Sequence, residues 1–563
     1  MHIDFFTRTM DLLRGLLGEG PLAGEGSHYF EQRLDHVGQS ADGRTFQQQY
    51  YVRDQYFARA DAPIFVYLGG EAPLYGPPRR GSFVDVLAKR SGALLFALEH
   101  RFYGESIPFA ELTTANLRYL STEQAVHDVA RFCEGIQPVV AEVRRSRGLG
   151  SGSESLPGEL GPALREARAS AYIVLGGSYA GAIAAWTRLA FPKVVRGAVA
   201  SSAVVEAATD FSQFDEQIAR SAGGACASAM RGASRGLDRL LAARAEGGGA
   251  LARRLFGTAE AEADATAALT DGDLRFLLAD ALAMPVMFGV SRHVCDRLLA
   301  PEASALDAAE AAARGEPIAA LLVSESAPQL YAPLVAAANY TRRLFYPTLE
   351  FGPEEYATPF LADTRTVAAR SGRQWWWQKC SELGLFQTAA ARMPVRSVHL
   401  DLRYFRDTCR ALFGDDELWP DTNALNRQRG GHRFAGSNVF FTNGADDPWL
   451  HASVSGTLSG TGSAAHVIRC AGCGHCVDLR APSADDAPEL LRAREAVHET
   501  LSQWLQAPTA SLEDSGADNA LSPDRWLDAT PMGDPDLLAA MTSMAQQSGM
   551  LEAQPQTPVL QTG

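Results

Sequence analysis

A serine among small residues, an acid at a strand end and a histidine in a late loop together could carry nucleophilic catalysis. Residues 171–175 (AYIVL) form a compact apolar run that leads straight into Gly176-Gly177-Ser178-Tyr179-Ala180-Gly181 and then an Ala-rich stretch to Phe191. A hydroxyl is a weak nucleophile until a base takes its proton, and the base needs an orienting acid. A serine on a tight strand-to-helix turn stands exposed above its sheet, and small neighbours let the turn close. Such turns carry Gly two residues before and two after the serine. Here Gly176 is in place, Ala180 fills the second position, and Gly181 lies one further on. The Tyr179 N–H, at the helix start, is then an oxyanion donor. A Gly-rich turn can also merely pack, or bind phosphate, but the phosphate reading lacks a Gly-x-x-x-x-Gly-Lys pattern.

On this type of turn the acid and the histidine follow the serine in the chain. Residues 438–442 (NVFFT) read as a strand and end in Asn443-Gly444-Ala445-Asp446-Asp447-Pro448-Trp449. That places an acid at the carboxyl end of a strand, where sites form in open α/β sheets. Residues 465–469 (AHVIR) read as the next strand, and the loop after it holds Cys473-Gly474-His475-Cys476. Ser178 to Asp447 is 269 residues and Asp447 to His475 is 28, and the first gap is long enough for an inserted domain. Asp446 competes with Asp447, since either can cap a turn. Among the other histidines, His466 is mid-strand, and His451 and His498 fall in or near helices. Cys470, Cys473, His475 and Cys476 could instead hold a metal tetrahedrally. They lack a second ligand pair at the usual spacing, and a metal-bound His475 could not act as base.

The elements that must position these groups are readable from periodicity. Residues 46–53 alternate, and 63–68 (PIFVYL) and 93–98 (ALLFAL) are short apolar runs of the kind buried on both faces of a sheet. Residues 120–134 and 489–505 have helical spacing, and 196–201 (RGAVAS) reads as a further strand. Residues 144–166 are rich in Gly, Ser and Arg and read as an exposed loop. From about 207 to 430 the chain is Ala/Leu/Arg-rich, with few convincing strands. Strands and helices, then a helical block, then strands again, predict an α/β domain with a helical insertion.

The 563 residues are 46% hydrophobic and 21% charged, which excludes wholly disordered and fibrous classes. The net charge of −15 and a pI near 5.3 argue against nucleic acid and anionic lipid as main partners. Residues 508–563 hold eight acids and one base, leaving 58 acids against 50 bases elsewhere. This polar segment reads as a disordered acidic tail, with 537–544 a short helix at most. No run reaches 18 apolar residues, so no membrane span is expected; the best, 281–290, contains Pro285 and reads as core. Residues 1–17 carry Asp4, Arg8, Asp11 and Arg14, which break any apolar leader. Eight cysteines suffice for a few bridges, and Asn339-Tyr340-Thr341 is one glycosylation sequon.

Several motifs, in order, resemble the prolyl carboxypeptidase-type serine peptidases, which include dipeptidyl peptidase II and thymus-specific serine protease. They include Phe30-Glu31-Gln32-Arg33-Leu34-Asp35-His36, Leu68-Gly69-Gly70-Glu71 and Glu99-His100-Arg101-Phe102-Tyr103-Gly104-Glu105-Ser106. The serine turn with Ala184-Ala185-Trp186, then Asp447-Pro448-Trp449 and His475-Cys476 with Asp478, complete the series. The resemblance spans about residues 30 to 505 and implies an α/β-hydrolase fold with an inserted helical cap. Taken with the shifts in composition along the chain, this gives 27–206 and 431–507 as the expected hydrolase domain, 207–430 as the cap, 1–26 as an N-terminal extension and 508–563 as the tail. It implies Ser178 as nucleophile, Asp447 rather than Asp446 as acid, and His475 as base. It places the second oxyanion donor at the Gly70 or Glu71 N–H, and the Glu71 carboxylate as a binder of a substrate amino terminus or as a structural group. Trp375, Trp376 and Trp449 are expected to border the substrate, though core packing accounts for tryptophans as readily. The implied activity is peptide hydrolysis next to proline with no metal or organic cofactor, an exopeptidase before an endopeptidase. An esterase on the same fold and a non-catalytic binding protein are the alternatives. The family is secreted or lysosomal. The oligomeric state stays open, a homodimer among the options.

Overall fold

The structure is a computed structural model that describes residues 26–38, 43–149, 171–243, 247–258, 268–300, 328–349, 352–456, 458 and 461–507. The acidic tail, nearly all of the N-terminal extension and most of the 144–166 loop lie outside these residues.

Eight strands form one sheet in the order β1-β2-β4-β3-β5-β6-β9-β10. They are β1 (His28–Arg33), β2 (Thr45–Arg53), β3 (Ile64–Leu68), β4 (Leu94–Leu98), β5 (Tyr172–Gly177), β6 (Val195–Ser201), β9 (Val439–Gly444) and β10 (Ala464–Ile468). β1 and β2 are antiparallel additions, and β4 through β10 run parallel. The two short remaining strands, β7 (Ala208–Asp210) and β8 (Gly384–Phe386), pair separately within the insertion. This is an α/β-hydrolase fold.

The apolar runs form central strands because they supply side chains to both faces. Ile64, Val66 and Leu68 point into one core with Tyr172 and Val174, while Phe65 and Tyr67 point into the other with Ile173 and Leu175. The first core packs the helices Thr122–Gly135 and Ser178–Ala190, and the second packs Phe83–Ser91 and Pro488–Gln506. The helix Thr122–Gly135 starts at Ser121, whose hydroxyl accepts the Gln124 N–H; a side-chain oxygen at this position satisfies one otherwise unpaired donor. Residues 144–146, read as loop, are instead the end of the helix Gln137–Ser146. Residues 281–287 of the 281–290 run form the largely buried end of the helix Asp271–Met287, with Pro285 in its last turn, and 288–290 follow the helix. Among the described residues no helix is long and apolar enough to cross a membrane.

Between β6 and β9 the chain leaves the sheet for a mostly helical segment stapled by Cys226–Cys295 and Cys380–Cys409. It packs on the hydrolase half through aromatic residues, with Trp376 and Trp377 in one cluster with Phe102, Tyr103 and Tyr119. The sequon lies at the end of the helix Pro328–Tyr340 with Thr341 fully buried, not on the exposed loop a glycan acceptor occupies.

Glu382 joins the two parts, accepting the Thr122 N–H at 2.8 Å, while Arg429 donates to neighbouring Glu123 at 2.6 Å. Burial pushes the Glu382 carboxyl up to about 7, against the pull of its Thr122 hydrogen bond and of Arg429. A carboxyl raised on folding contributes stability below its ordinary value of 4.5 and loses it as pH rises through about 7. The stability of wild type relative to Glu382→Gln should therefore fall by on the order of 2 kcal/mol between pH 4.5 and 8, as read by denaturant unfolding at each pH.

Candidate active site

Strand β3 sits between β4 and β5, so the chain's direction of travel across the sheet reverses beside it. Ligand sites of open α/β sheets form outside the strand ends at such a reversal. Gly69-Gly70-Glu71 leaves β3 there, and Ser178 leaves β5. Ser178 has φ 56°, in the left-handed region where a residue with a side chain is strained. The turn closes because a Cβ on Gly176 would lie 2.3 Å from the Ala180 carbonyl oxygen and 2.5 Å from its carbon. A Cβ on Gly181 would meet the Ser201 carbonyl oxygen at 3.0 Å, so this glycine lets the helix seat against β6. Ala180, where the sequence departs from Gly, is buried. Gly176→Ala should cost about 2 kcal/mol or more by forcing the turn apart, measured as a lowered Tm.

Asp447 caps the 3-10 turn Pro448–Ala452, its Oδ1 accepting the Trp449 N–H at 2.9 Å. Its Oδ2 lies 2.8 Å from His475 Nδ1, and both side chains are buried. A proton on Nδ1 directed at the carboxylate leaves Nε2 as the acceptor. Asp446 turns away and accepts the Gly472 N–H at 2.8 Å, so it shapes the loop. Burial disfavours the imidazolium, but the Asp447 carboxylate and the neighbouring Cys476 sulfur outweigh it and raise His475 well above its ordinary value.

The histidine loop is held from three sides. His475 N–H donates to the Met287 carbonyl at 2.8 Å. A Cβ on Gly474 would lie 2.3 Å from that same oxygen, and one on Gly444 would lie 2.2 Å from the Cys473 carbonyl oxygen. Beneath, the buried Asp478 accepts from Ser201 Oγ at 2.6 Å and Thr442 Oγ1 at 2.8 Å, tying the ends of β6 and β9. Cys470 and Cys473 are bonded to each other, and among the described residues no group of three His, Cys, Asp or Glu side chains is placed to hold a metal.

Ser178, His475, Gly70, Glu71, Trp375 and Trp449 all border one cavity of about 330 Å³, with Asp447 behind His475. Ser178 and His475 are not hydrogen-bonded to each other, a separation common before substrate tightens a site. The Tyr179 side chain is buried, its hydroxyl meeting His100 Nε2 at 3.1 Å and accepting from Gln378 Nε2 at 2.6 Å, which leaves its N–H at the helix start. Burial raises the Glu71 carboxyl, while its own N–H and the charge of His475 pull the other way. Trp376 is the exception. It borders a neighbouring chamber and packs in the core, away from Ser178.

One functional residue escaped sequence reasoning. Glu99, whose motif carried no stated role, accepts the Leu74 N–H at 2.9 Å and the Ser106 hydroxyl at 2.6 Å, and so fixes the loop that carries Gly70 and Glu71. Burial pushes its carboxyl up to about 7 despite these donors. The signal was Gly104, since a Cβ there would collide with the Glu99 carboxylate.

The family model for serine carboxypeptidase S28 matches residues 32–167, 158–271 and 349–497. The chain belongs to the S28 serine peptidase family. It is 32% identical to thymus-specific serine protease of Homo sapiens, over 90% of this chain and 92% of that protein. The Mus musculus counterpart is 31% identical over the same shares. Lysosomal Pro-X carboxypeptidase of Mus musculus is 25% identical over 85% of this chain and 88% of that protein. As an S28 member the chain is a hydrolase of peptide substrates.

Proposed function

We propose that this S28 peptidase cleaves peptides next to proline through an acyl-enzyme, with Ser178 as nucleophile, His475 as base and Asp447 as its orienting acid. The observation that carries the reading is the 2.8 Å Asp447–His475 contact on the wall of the cavity that strained Ser178 also faces. His475 Nε2 takes the Ser178 proton as Oγ attacks the carbonyl. The Tyr179 N–H and the Gly70 or Glu71 N–H stabilise the oxyanion. His475 then protonates the leaving amine, and water repeats the sequence on the acyl-enzyme.

The proline preference draws support from the flat apolar wall of Trp375, Trp449 and Phe214, and from the relative named a Pro-X carboxypeptidase. The segment 207–430 acts as a cap, so entry is restricted to chain ends, and Glu71 can receive a substrate amino terminus. The paired cysteines suit an oxidising compartment, secreted or lysosomal. Mass spectrometry of the products from a peptide with proline near both ends tests this. Release of a short fragment at one proline is expected. Cleavage indifferent to proline, or faster turnover of simple acyl esters than of any such peptide, overturns it.

A further inference from the structure

The cavity of Ser178 does not end at Trp375. A second chamber of about 180 Å³ continues from it, and Asp280, Trp375, Leu385, Gln387 and Trp449 border both. Lys379 opens onto this chamber. The chain has only three lysines against 48 arginines. Lys89 and Lys193 are exposed, whereas Lys379 is 7% exposed. It begins a π-helical turn, Lys379–Leu383, a backbone irregularity that recurs at functional sites.

Among the described residues the Lys379 ammonium has no hydrogen-bond or ion-pair partner. Its neighbours are the faces of Trp376, 3.5 Å from the ring centre, and Phe276, 5.7 Å away. A buried ammonium carries three donors and is costly to leave without an acceptor. Three acids line the same chamber. Asp273 accepts from Thr270 N–H, Thr358 N–H and the Thr358 hydroxyl. Asp280 accepts the Tyr356 hydroxyl at 2.6 Å, and Glu355 is half-buried on the same wall. Burial raises the carboxyls of Asp280 and Glu355, which reduces their charge in the acidic range and leaves the Lys379 donors open to an anion arriving from the catalytic cavity. Burial lowers Lys379 to about 7 and Asp280 draws it back up, so an arriving anion is met by a cation through the acidic range.

We propose that the second chamber is a substrate subsite for a carboxylate, held by Lys379 against the Trp376 ring. This rests on the proposed peptidase reading of the adjoining cavity and names the substrate class that cavity would favour. The carboxylate is either the peptide's α-carboxylate or an Asp or Glu side chain.

The test measures binding to Ser178→Ala protein, which reports on the subsite whether or not Ser178 is the nucleophile. One peptide pair differs as free acid against C-terminal amide, and a second as Glu against Gln. In one pair the acid is expected to bind about 10- to 100-fold tighter than its twin. The pair that discriminates identifies the carboxylate's source. Lys379→Met should abolish the preference and Lys379→Arg should keep part of it. Trace acetylation of the unmutated lysines supplies a readout that needs no variant at position 379. The discriminating acid peptide should protect Lys379 while leaving Lys89 and Lys193 labelled as before, and its neutral twin should protect none. Equal binding within both pairs, a preference that survives Lys379→Met, or equal labelling of Lys379 with acid and neutral peptides overturns the proposal. Loss of peptide hydrolysis in wild type with the acid preference intact would instead count against the peptidase reading alone.

Discussion

Ser178→Ala is expected to lower kcat/KM on a proline-containing peptide about ten-thousandfold or more. The size follows from what the hydroxyl is proposed to do. Without Oγ no acyl-enzyme forms, and only binding and the oxyanion donors remain to assist attack by water. The fold should tolerate the change, because alanine keeps the Cβ that Ser178 already carries at φ 56° and removes only the cavity-facing hydroxyl. The Tm should stay within about a degree or rise slightly, since strained active-site positions commonly limit stability. A fluorophosphonate probe should add its mass to the peptide containing Ser178 in wild type and not in the variant. Folded wild-type protein that takes no label would remove Ser178 from the mechanism.

Asp447→Asn should cost about ten-thousandfold in kcat with little change in KM. The carboxylate is buried and acts at 2.8 Å from Nδ1, so an amide there can present its NH2 to Nδ1 and select the wrong tautomer. The variant also removes the charge that holds His475 above the ordinary imidazole value. In wild type, activity that needs neutral Nε2 therefore rises with pH through that raised value, and in the variant the remaining activity should rise at lower pH. The stability linked to the pair has the matching sign. It is fully present below the ordinary value of 6.5 and is lost as pH climbs through the folded value, so the Tm difference between wild type and Asp447→Asn should shrink at alkaline pH. An unchanged pH–rate profile would show that Asp447 does not tune His475.

The central strands could be read from the chain because each supplies apolar side chains to two cores, which leaves an uninterrupted apolar run. β1 (HYFEQR) could not, because it is an edge strand with mostly exposed side chains and no run to detect. The helix Phe83–Ser91 is short, and its cap, Ser82 accepting from Asp85 N–H, is visible only once the turn is formed. The three consecutive tryptophans show the same limit at the site. Successive helical residues point about 100° apart, so Trp375 reaches the catalytic cavity, Trp376 the second chamber, and Trp377 donates to the Leu120 carbonyl at 3.1 Å. Residue type alone could not assign these destinations. Ser178, Asp447 and His475 stood out because each follows a recognisable strand. Glu99 did not, because its partners, the Leu74 N–H and the Ser106 hydroxyl, are brought to it only by the folded loop.

The hydrogen bond from His475 to the Met287 carbonyl bears on how this enzyme could be re-engineered. Met287 closes a helix of the inserted segment, and Gly474 is wedged against the same carbonyl. The insertion is therefore not an exchangeable module laid over a finished catalytic domain. A chimera that transplants a relative's 207–430 segment, or a minimal version that deletes it, would take away the peg from which the histidine loop hangs. Domain swaps meant to alter substrate choice should keep the helix Asp271–Met287 with the residues through Gly289, and graft only the parts that do not touch that loop.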